Sequence, residues 1–353
     1  MHRSRIVKKL LNEGGARMNL LKLFTGRRVL KTMIAVFLTA LVCQALNIPA
    51  VFAVMTAIVT IEPTAEDSIK KGLVRFPASA IGSFYAATFF YFFQISPFSY
   101  ALATSFTIVT CYKLKLFDGL LVATLTSVAM VYVIDGSPID EFFIRLLTTT
   151  IGLTVSTLVN LFLFPANYMN QIEATFNKAL LKASKDLKIF AYSLKHAQLD
   201  QVTVKSEATF HSFHLHVEKI EQLLTYQQKE AHYHTKAFKR ETDTTNYTKK
   251  LHMLKLIHYH IGNLTTPLHT EITWDVSIIE EIDTVIIDLC RVIEQQDQPF
   301  IHVLDSLSKR LIALFNQGTH CHSEALHLKE ETVILYELIQ LIELVKQYKQ
   351  CRN

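Results

Sequence analysis

The chain of 353 residues is 50% hydrophobic and 19% charged, with a mean hydropathy of +0.23. That is too apolar for an ordinary soluble protein and too charged for a chain buried throughout in lipid. Residues 1–165 carry a net charge of +7 and eight of the ten glycines, and the remainder carries −2, which excludes a single soluble globule, a disordered protein and a collagen-like or disulfide-stapled scaffold.

In chain order, residues 1–26 form a basic segment without the short apolar core and small-residue cleavage site of a secretory leader. A helix crosses the hydrocarbon in about 20 residues, and the apolar runs that follow predict six spans, at 29–48, 49–61, 76–95, 98–112, 116–134 and 142–164. Lys31 lies near the start of the first, where its amine is expected to reach the headgroups. Pro49 suits the first turn of the second. The second and fourth spans are short, a pattern that in transporters marks interrupted helices around a binding site.

Loop charge supplies an independent criterion. The segment before span one carries Arg3, Arg5, Lys8, Lys9, Arg17, Lys22, Arg27 and Arg28. Lys70, Lys71 and Arg75 follow span two, and Lys113 and Lys115 follow span four, whereas the alternate loops 47–49, 94–97 and 135–141 hold no Lys or Arg. By the positive-inside rule both termini are cytoplasmic, as an even number of spans requires.

Within the spans, Ala78, Gly82 and Ala86 recur every four residues beside Ser79 and Ser83. Span six presents Gly152, Ser156 and Asn160 with Thr149, and span five Ala123 and Ser127. Such spacing serves close helix packing, and the small polar groups also suit a solute path. The run from Phe89 to Phe93 reads as an interfacial aromatic belt. Arg75 opens span three, Arg145 sits a turn into span six, Glu62 closes span two and Asp118 opens span five. Snorkelling explains any one of these charges, but an organic anion crossing lipid needs basic partners on both sides.

Thr60, Ile61, Glu62, Pro63 and Thr64, then Ser68, Lys71, Gly72, Arg75, Ala78, Ser79 and Gly82, resemble the signature of the aromatic acid exporter family, related to fusaric acid resistance proteins. The resemblance covers residues 20–165. Glu62 stands where glutamine is common, and Ala78 and Ser79 replace a Gly-Thr pair. The resemblance implies a bacterial inner-membrane protein that moves aromatic or other organic acids outward. The broader clan is also similar to plant malate channels, with six spans followed by a cytosolic helical domain.

From residue 167 onward the pattern becomes amphipathic: Ile172, Phe176, Leu180 and Leu181, then Leu187, Phe190 and Leu194, and later stretches at 276–296, 300–315 and 324–348. Pro267, Pro299 and Gly318 punctuate it. This predicts a cytosolic bundle of five or six helices, the first continuing down from span six. Fourteen of the fifteen histidines fall here. His211 and His214 have helical ligand spacing and His320, Cys321 and His322 could chelate from a loop, but most pairs sit two residues apart and point to different faces, so surface histidines without a metal are expected. The five cysteines show no paired spacing, and no disulfide framework follows. Phosphate-binding, metalloprotease and nucleophile-elbow signatures are absent from the sequence.

The expectation is therefore an all-α polytopic membrane bundle over residues 27–165 with a cytosolic helical domain at 166–353. It has no cofactor, no catalytic site and no nucleic-acid partner. It sits in the bilayer as a homodimer and exports small organic acid anions. A passive anion channel and a membrane-anchored sensor acting through its tail are the alternatives. The candidate substrate-binding residues are Lys71, Arg75, Glu62, Arg145 and Asn160. Lys71 and Arg75 share a helix face at the cytoplasmic entrance, where a guanidinium offers a carboxylate two parallel hydrogen bonds. A purely topological role is the alternative for this pair.

Overall fold

A computed structural model describes residues 27–134, 136–163, 166–196, 202–233, 241–265, 272, 274–295, 301–319 and 330–351. The basic segment 1–26 and the His320, Cys321 and His322 cluster lie outside the described residues. The protein is all-α, with twelve helices and no strand among the described residues. It divides into two compact units, residues 1–166 with 229–237, and residues 167–228 with 238–353.

The first unit holds α1 (Arg27–Ala45), α2 (Val51–Thr60), α3 (Ala65–Phe93), α4 (Pro97–Lys113), α5 (Phe117–Val133) and α6 (Pro138–Phe162). Of these α1, α3 and α6 are long and apolar enough to cross a membrane. The ten residues of α2 reach about 15 Å, half of a hydrocarbon layer of about 30 Å. The second predicted span is thus a half-length helix, and the third starts eleven residues earlier than expected, at Ala65 rather than 76. Chemistry at the junction explains the difference. Thr64 is extended and its hydroxyl accepts the Asp67 amide, capping α3, while Glu66 and Asp67 fill the first turn and complement the helix dipole. Lys70, Lys71 and Arg75, read as loop charges, are therefore helical.

Helix α3 packs against α4, α5 and α6, and α6 also receives α1 and α2. The small-residue faces lie in these contacts: Ala78, Ser79, Ser83 and Ala86 of α3 and Thr149 and Ser156 of α6 are fully buried. A Cβ added to Gly82 would stand 2.3 Å from the Ala123 carbonyl oxygen of α5, and one on Gly152 would stand 2.3 Å from that of Ala53 on α2. The apolar side chains of Phe37, Leu73, Phe84, Leu121 and Phe143 point outward, as a lipid-facing surface requires. The aromatic run divides: Tyr91, Phe92 and Phe93 are exposed, whereas Phe90 is buried and the Phe89 ring packs 5.3 Å from that of Phe106.

The second unit comprises α7 (Met169–Lys195), α8 (Val202–Tyr233) up to residue 228, α9 (Glu241–Thr265), α10 (Val276–Glu294), α11 (Ile301–Thr319) and α12 (Glu330–Gln350). Helix α6 ends at Phe162 with Leu163 extended, and α7 begins at Met169, so the expected continuous helix is two helices. Gly318, expected to punctuate the pattern, lies in the last turn of α11. Ile172, Phe176, Leu187, Phe190 and Leu194 of α7 enter one core with residues of the other five helices, whereas Leu181 is exposed.

Asp186 and His258 are titratable groups of this unit that burial perturbs. Asp186 on α7 is fully buried, and neither carboxylate oxygen meets a hydrogen-bond donor among the described residues. Burial pushes its carboxyl up from 3.8 to about 7, against the pull of Lys182 and Lys185. His258 on α9 stacks on Phe210 with ring centroids 4.3 Å apart. Burial, aided by His214, pushes it down from 6.5 to about 4. The unfolded chain loses the Asp186 proton first, so that contribution destabilises the fold as pH climbs from about 4 to about 7. It also takes up the His258 proton first, so the second contribution is destabilising as pH falls from about 6.5 to about 4.

Two predictions follow from this packing. Gly152→Ala should destabilise the first unit by about 1–3 kcal/mol through overpacking, whereas Gly72→Ala, whose added Cβ would sit 3.8 Å from Leu153, should be neutral. Heat-dependent reactivity of the buried Cys43 and Cys111 thiols, with the other cysteines replaced by serine, reads this as a midpoint lower by about 2–4 °C per kcal/mol. In the second unit, Asp186→Asn should raise the unfolding midpoint near pH 8 and leave it unchanged near pH 4. His258→Gln should flatten the loss between about pH 6.5 and about pH 4. The fluorescence of Trp274, the only tryptophan in the sequence and packed on this core, reports both in the full chain. An Asp186→Asn midpoint equal to wild type near pH 8 would contradict a buried, ionised carboxylate.

Candidate functional site in the membrane unit

At the interruption between α2 and α3, side chains from three helices take up five carbonyls, one of which, that of Thr64, also accepts the Ser68 amide at 3.2 Å. Arg75 Nη1 donates to the Val59 carbonyl at 3.1 Å, and Ser68 Oγ donates to that of Thr60 at 2.9 Å. Arg28 Nη2 reaches Ile61 O at 3.3 Å. Asn160 Nδ2 donates to the carbonyls of Glu62 and Thr64, each at 3.1 Å, and to Ser68 Oγ at 2.7 Å. The Glu62 amide donates to Ser68 Oγ at 3.2 Å. The Asn160 side-chain oxygen accepts from Lys31 Nζ at 2.8 Å. Lys31 is thus buried on α6 rather than extended to the headgroups.

Glu62 is the anion of this cluster. Its Oε1 accepts from Arg75 Nη2 at 2.6 Å and its Oε2 from Lys71 Nζ at 3.3 Å. The shared helix face expected for Lys71 and Arg75 is real, and an internal carboxylate occupies it. Arg75 Nε donates to the Asp118 carbonyl of α5 at 3.3 Å. All three guanidinium nitrogens of Arg75 are therefore engaged, and it lies ten residues inside α3 rather than at its opening. Removing one member of such a buried pair typically costs about 3–5 kcal/mol, because the remaining charge is left unpaired. Gly72 packs on Leu153, and Pro63 lies in the break itself.

One helical turn further along α3, about 6 Å by helical rise, lies a second polar layer. Ser79 Oγ is 3.5 Å from Thr126 Oγ1 of α5 and 3.4 Å from Thr149 Oγ1 of α6. Arg145 of α6 enters this layer, donating from Nη2 to Thr126 Oγ1 at 2.6 Å. Its guanidinium carbon stands 4.3 Å from the centre of the Phe52 ring of α2, a cation–π contact. Arg145 is 4% exposed, and its Nε and Nη1 have no acceptor among the described residues.

Of the sequence-predicted residues, Glu62, Lys71, Arg75 and Asn160 form one connected cluster, and Arg145 stands apart in the second layer. Phe52, Thr126 and Lys31 were missed as site residues. Phe52 and Thr126 sit in apolar runs and look like filler until the helices are assembled. The start of α3 was signalled, because Thr64 followed three residues later by Asp67 has the form of a capping box. In the second unit His260 Nδ1 contacts the Glu337 carboxylate, which also accepts from Asn263 at 2.9 Å. His214 pairs with Glu218. Among the described residues no three His, Cys, Asp or Glu side chains converge on one point.

Comparison with known proteins accords with these features. Residues 23–163 match the family described as Aromatic acid exporter family member 1. A UPF0421 protein of Bacillus thuringiensis (strain Al Hakam) is 42% identical over 334 residues, covering 92% of this chain and 93% of the relative. One from Oceanobacillus iheyensis is 42% identical over 342 residues, covering 94% and 97%. One from Staphylococcus saprophyticus is 41% identical over 261 residues, covering 72% and 78%. The buried break at Glu62, Pro63 and Thr64 with its Arg75 partner falls inside the matched segment, and the chain belongs to the UPF0421 proteins of the aromatic acid exporter family.

Proposed function

We propose that this membrane protein exports small organic acid anions across the bacterial plasma membrane, with both termini in the cytoplasm. The observation that carries this reading is the burial of three basic side chains in the membrane unit: Lys31 and Arg145 at 4% exposure and Arg75 at 8%. Ionisable groups at membrane depth are costly, and they mark paths for ions and polar solutes. A cationic interior selects anions by the same Coulombic logic that excludes cations. The interrupted α2–α3 pair supports a carrier, since discontinuous helices build solute sites in secondary transporters. Family membership supports organic acids as cargo, and the clustering of Lys and Arg at alternate ends of the helices supports the orientation.

Flux tests the reading. Purified protein in liposomes, given radiolabelled 4-hydroxybenzoate near pH 8, should transport it saturably and concentrate it against its gradient when an ion gradient is imposed. Flux that only follows the acid's own gradient would identify a channel. Flux no greater than in protein-free liposomes would overturn transport of this acid class.

A further inference from the structure

Among the buried cations of the membrane unit, Lys31 and Arg75 are answered from within the chain. Lys31 rests on Asn160 and Arg75 on Glu62 and two carbonyls. Arg145 is not. Among the described residues it makes one hydrogen bond, to a neutral hydroxyl, and two of its three nitrogens meet no acceptor. Five N–H donors and a permanent positive charge are held in a low-dielectric interior where an unpaired charge is strongly disfavoured. A guanidinium kept there with no counter-ion among the described residues is suited to one that arrives and leaves.

The space beside it has the shape of such a guest. Arg145 lines a cavity of about 40 Å³ together with Phe52, Met55 and Val59 of α2 and Val122, Leu125 and Thr126 of α5. A single water needs at least about 10–15 Å³, so the cavity has room for a carboxylate group in place of two or three waters. Met55 and Leu125 are 43% and 51% exposed, so the cavity continues outward as an apolar cleft between α2 and α5. We infer that Arg145, with Thr126 and Phe52, is the subsite that receives the carboxylate of a monocarboxylic acid, whose apolar body lies in the cleft between α2 and α5. This rests on the anion-export reading and locates the anion in the second polar layer rather than on the Glu62-paired Arg75. An inorganic anion would leave the cleft unfilled, and a neutral amide would leave the guanidinium unpaired.

Binding to the full chain in lipid nanodiscs tests the subsite independently of flux. Radiolabelled benzoate is the probe, with benzamide and chloride as competitors. Benzoate should bind wild type saturably, and neither competitor should displace it at about hundredfold excess. Arg145→Gln and Arg145→Lys should weaken binding at least about tenfold, because a charge-assisted, multi-donor contact is lost or reduced to a point charge. Phe52→Leu and Thr126→Val should each weaken it severalfold; these two carry the test if an Arg145 variant fails to fold by circular dichroism and gel filtration. Wild-type affinity in a folded Arg145→Gln, or in both Phe52→Leu and Thr126→Val, would overturn the subsite. Displacement by chloride would reassign it to inorganic anions, and no benzoate binding by wild type would also overturn it. Flux without dependence on Arg145 overturns the subsite and leaves export standing. Arg145-dependent binding without flux does the reverse.

Discussion

Hydrocarbon offers no water to a backbone carbonyl, so irregular chain at membrane depth persists only where protein satisfies it. The break at residues 61–64 interrupts the helical backbone of the membrane unit, and its carbonyls need side-chain partners. Its carbonyls are met one by one by Arg75, Ser68, Arg28 and Asn160, and the donors come from α1, α3 and α6. The placement of these helices around α2 is therefore tied to the accounting of a single interruption. Glu62 closes it electrically, since its carboxylate faces the two cations that α3 brings to the break.

The same accounting, carried across the rest of the unit, separates the basic groups by role. Arg75 is saturated, and its planar fork holds the C-terminal end of α2, Glu62 and α5 together. Arg145 is surrounded by an aromatic face, a hydroxyl and apolar walls, an environment that strengthens attraction to an anion while giving it little solvation of its own. The two layers lie one turn of α3 apart, bridged by Ser79.

Much of the architecture was legible in the sequence. Uninterrupted apolar runs identified α1 and α6, and the small-residue periodicity of Ala78, Gly82 and Ala86 identified the buried face of α3. The amphipathic periods of the second unit likewise marked α7, α10, α11 and α12. The α2–α3 junction was misread because hydropathy averages over a window and so assigns Lys70, Lys71 and Arg75 to a loop. Inside the bundle Glu62 pairs with both Lys71 and Arg75, which lowers the penalty that the average assumed. Lys31 was misread for the same reason, since its partner Asn160 lies 129 residues away. Which of the candidate residues adjoin one another was not legible: Glu62, Lys71, Arg75 and Asn160 form one cluster and Arg145 stands in the second layer. Which guanidinium is already paired depends on three-dimensional partners that spacing along the chain does not encode.

The central claim is that Arg145, not Arg75, meets the anion. The most direct measurement is a structure of the full chain in nanodiscs with 4-iodobenzoate, in which the iodine is located by its strong scattering. The account predicts the carboxylate at Arg145 Nε or Nη1 and the iodine in the cleft between Met55 and Leu125, with the Glu62–Arg75 pair intact. A carboxylate on Arg75 or Lys71 with Glu62 displaced, and Arg145 unpaired as before, would contradict it.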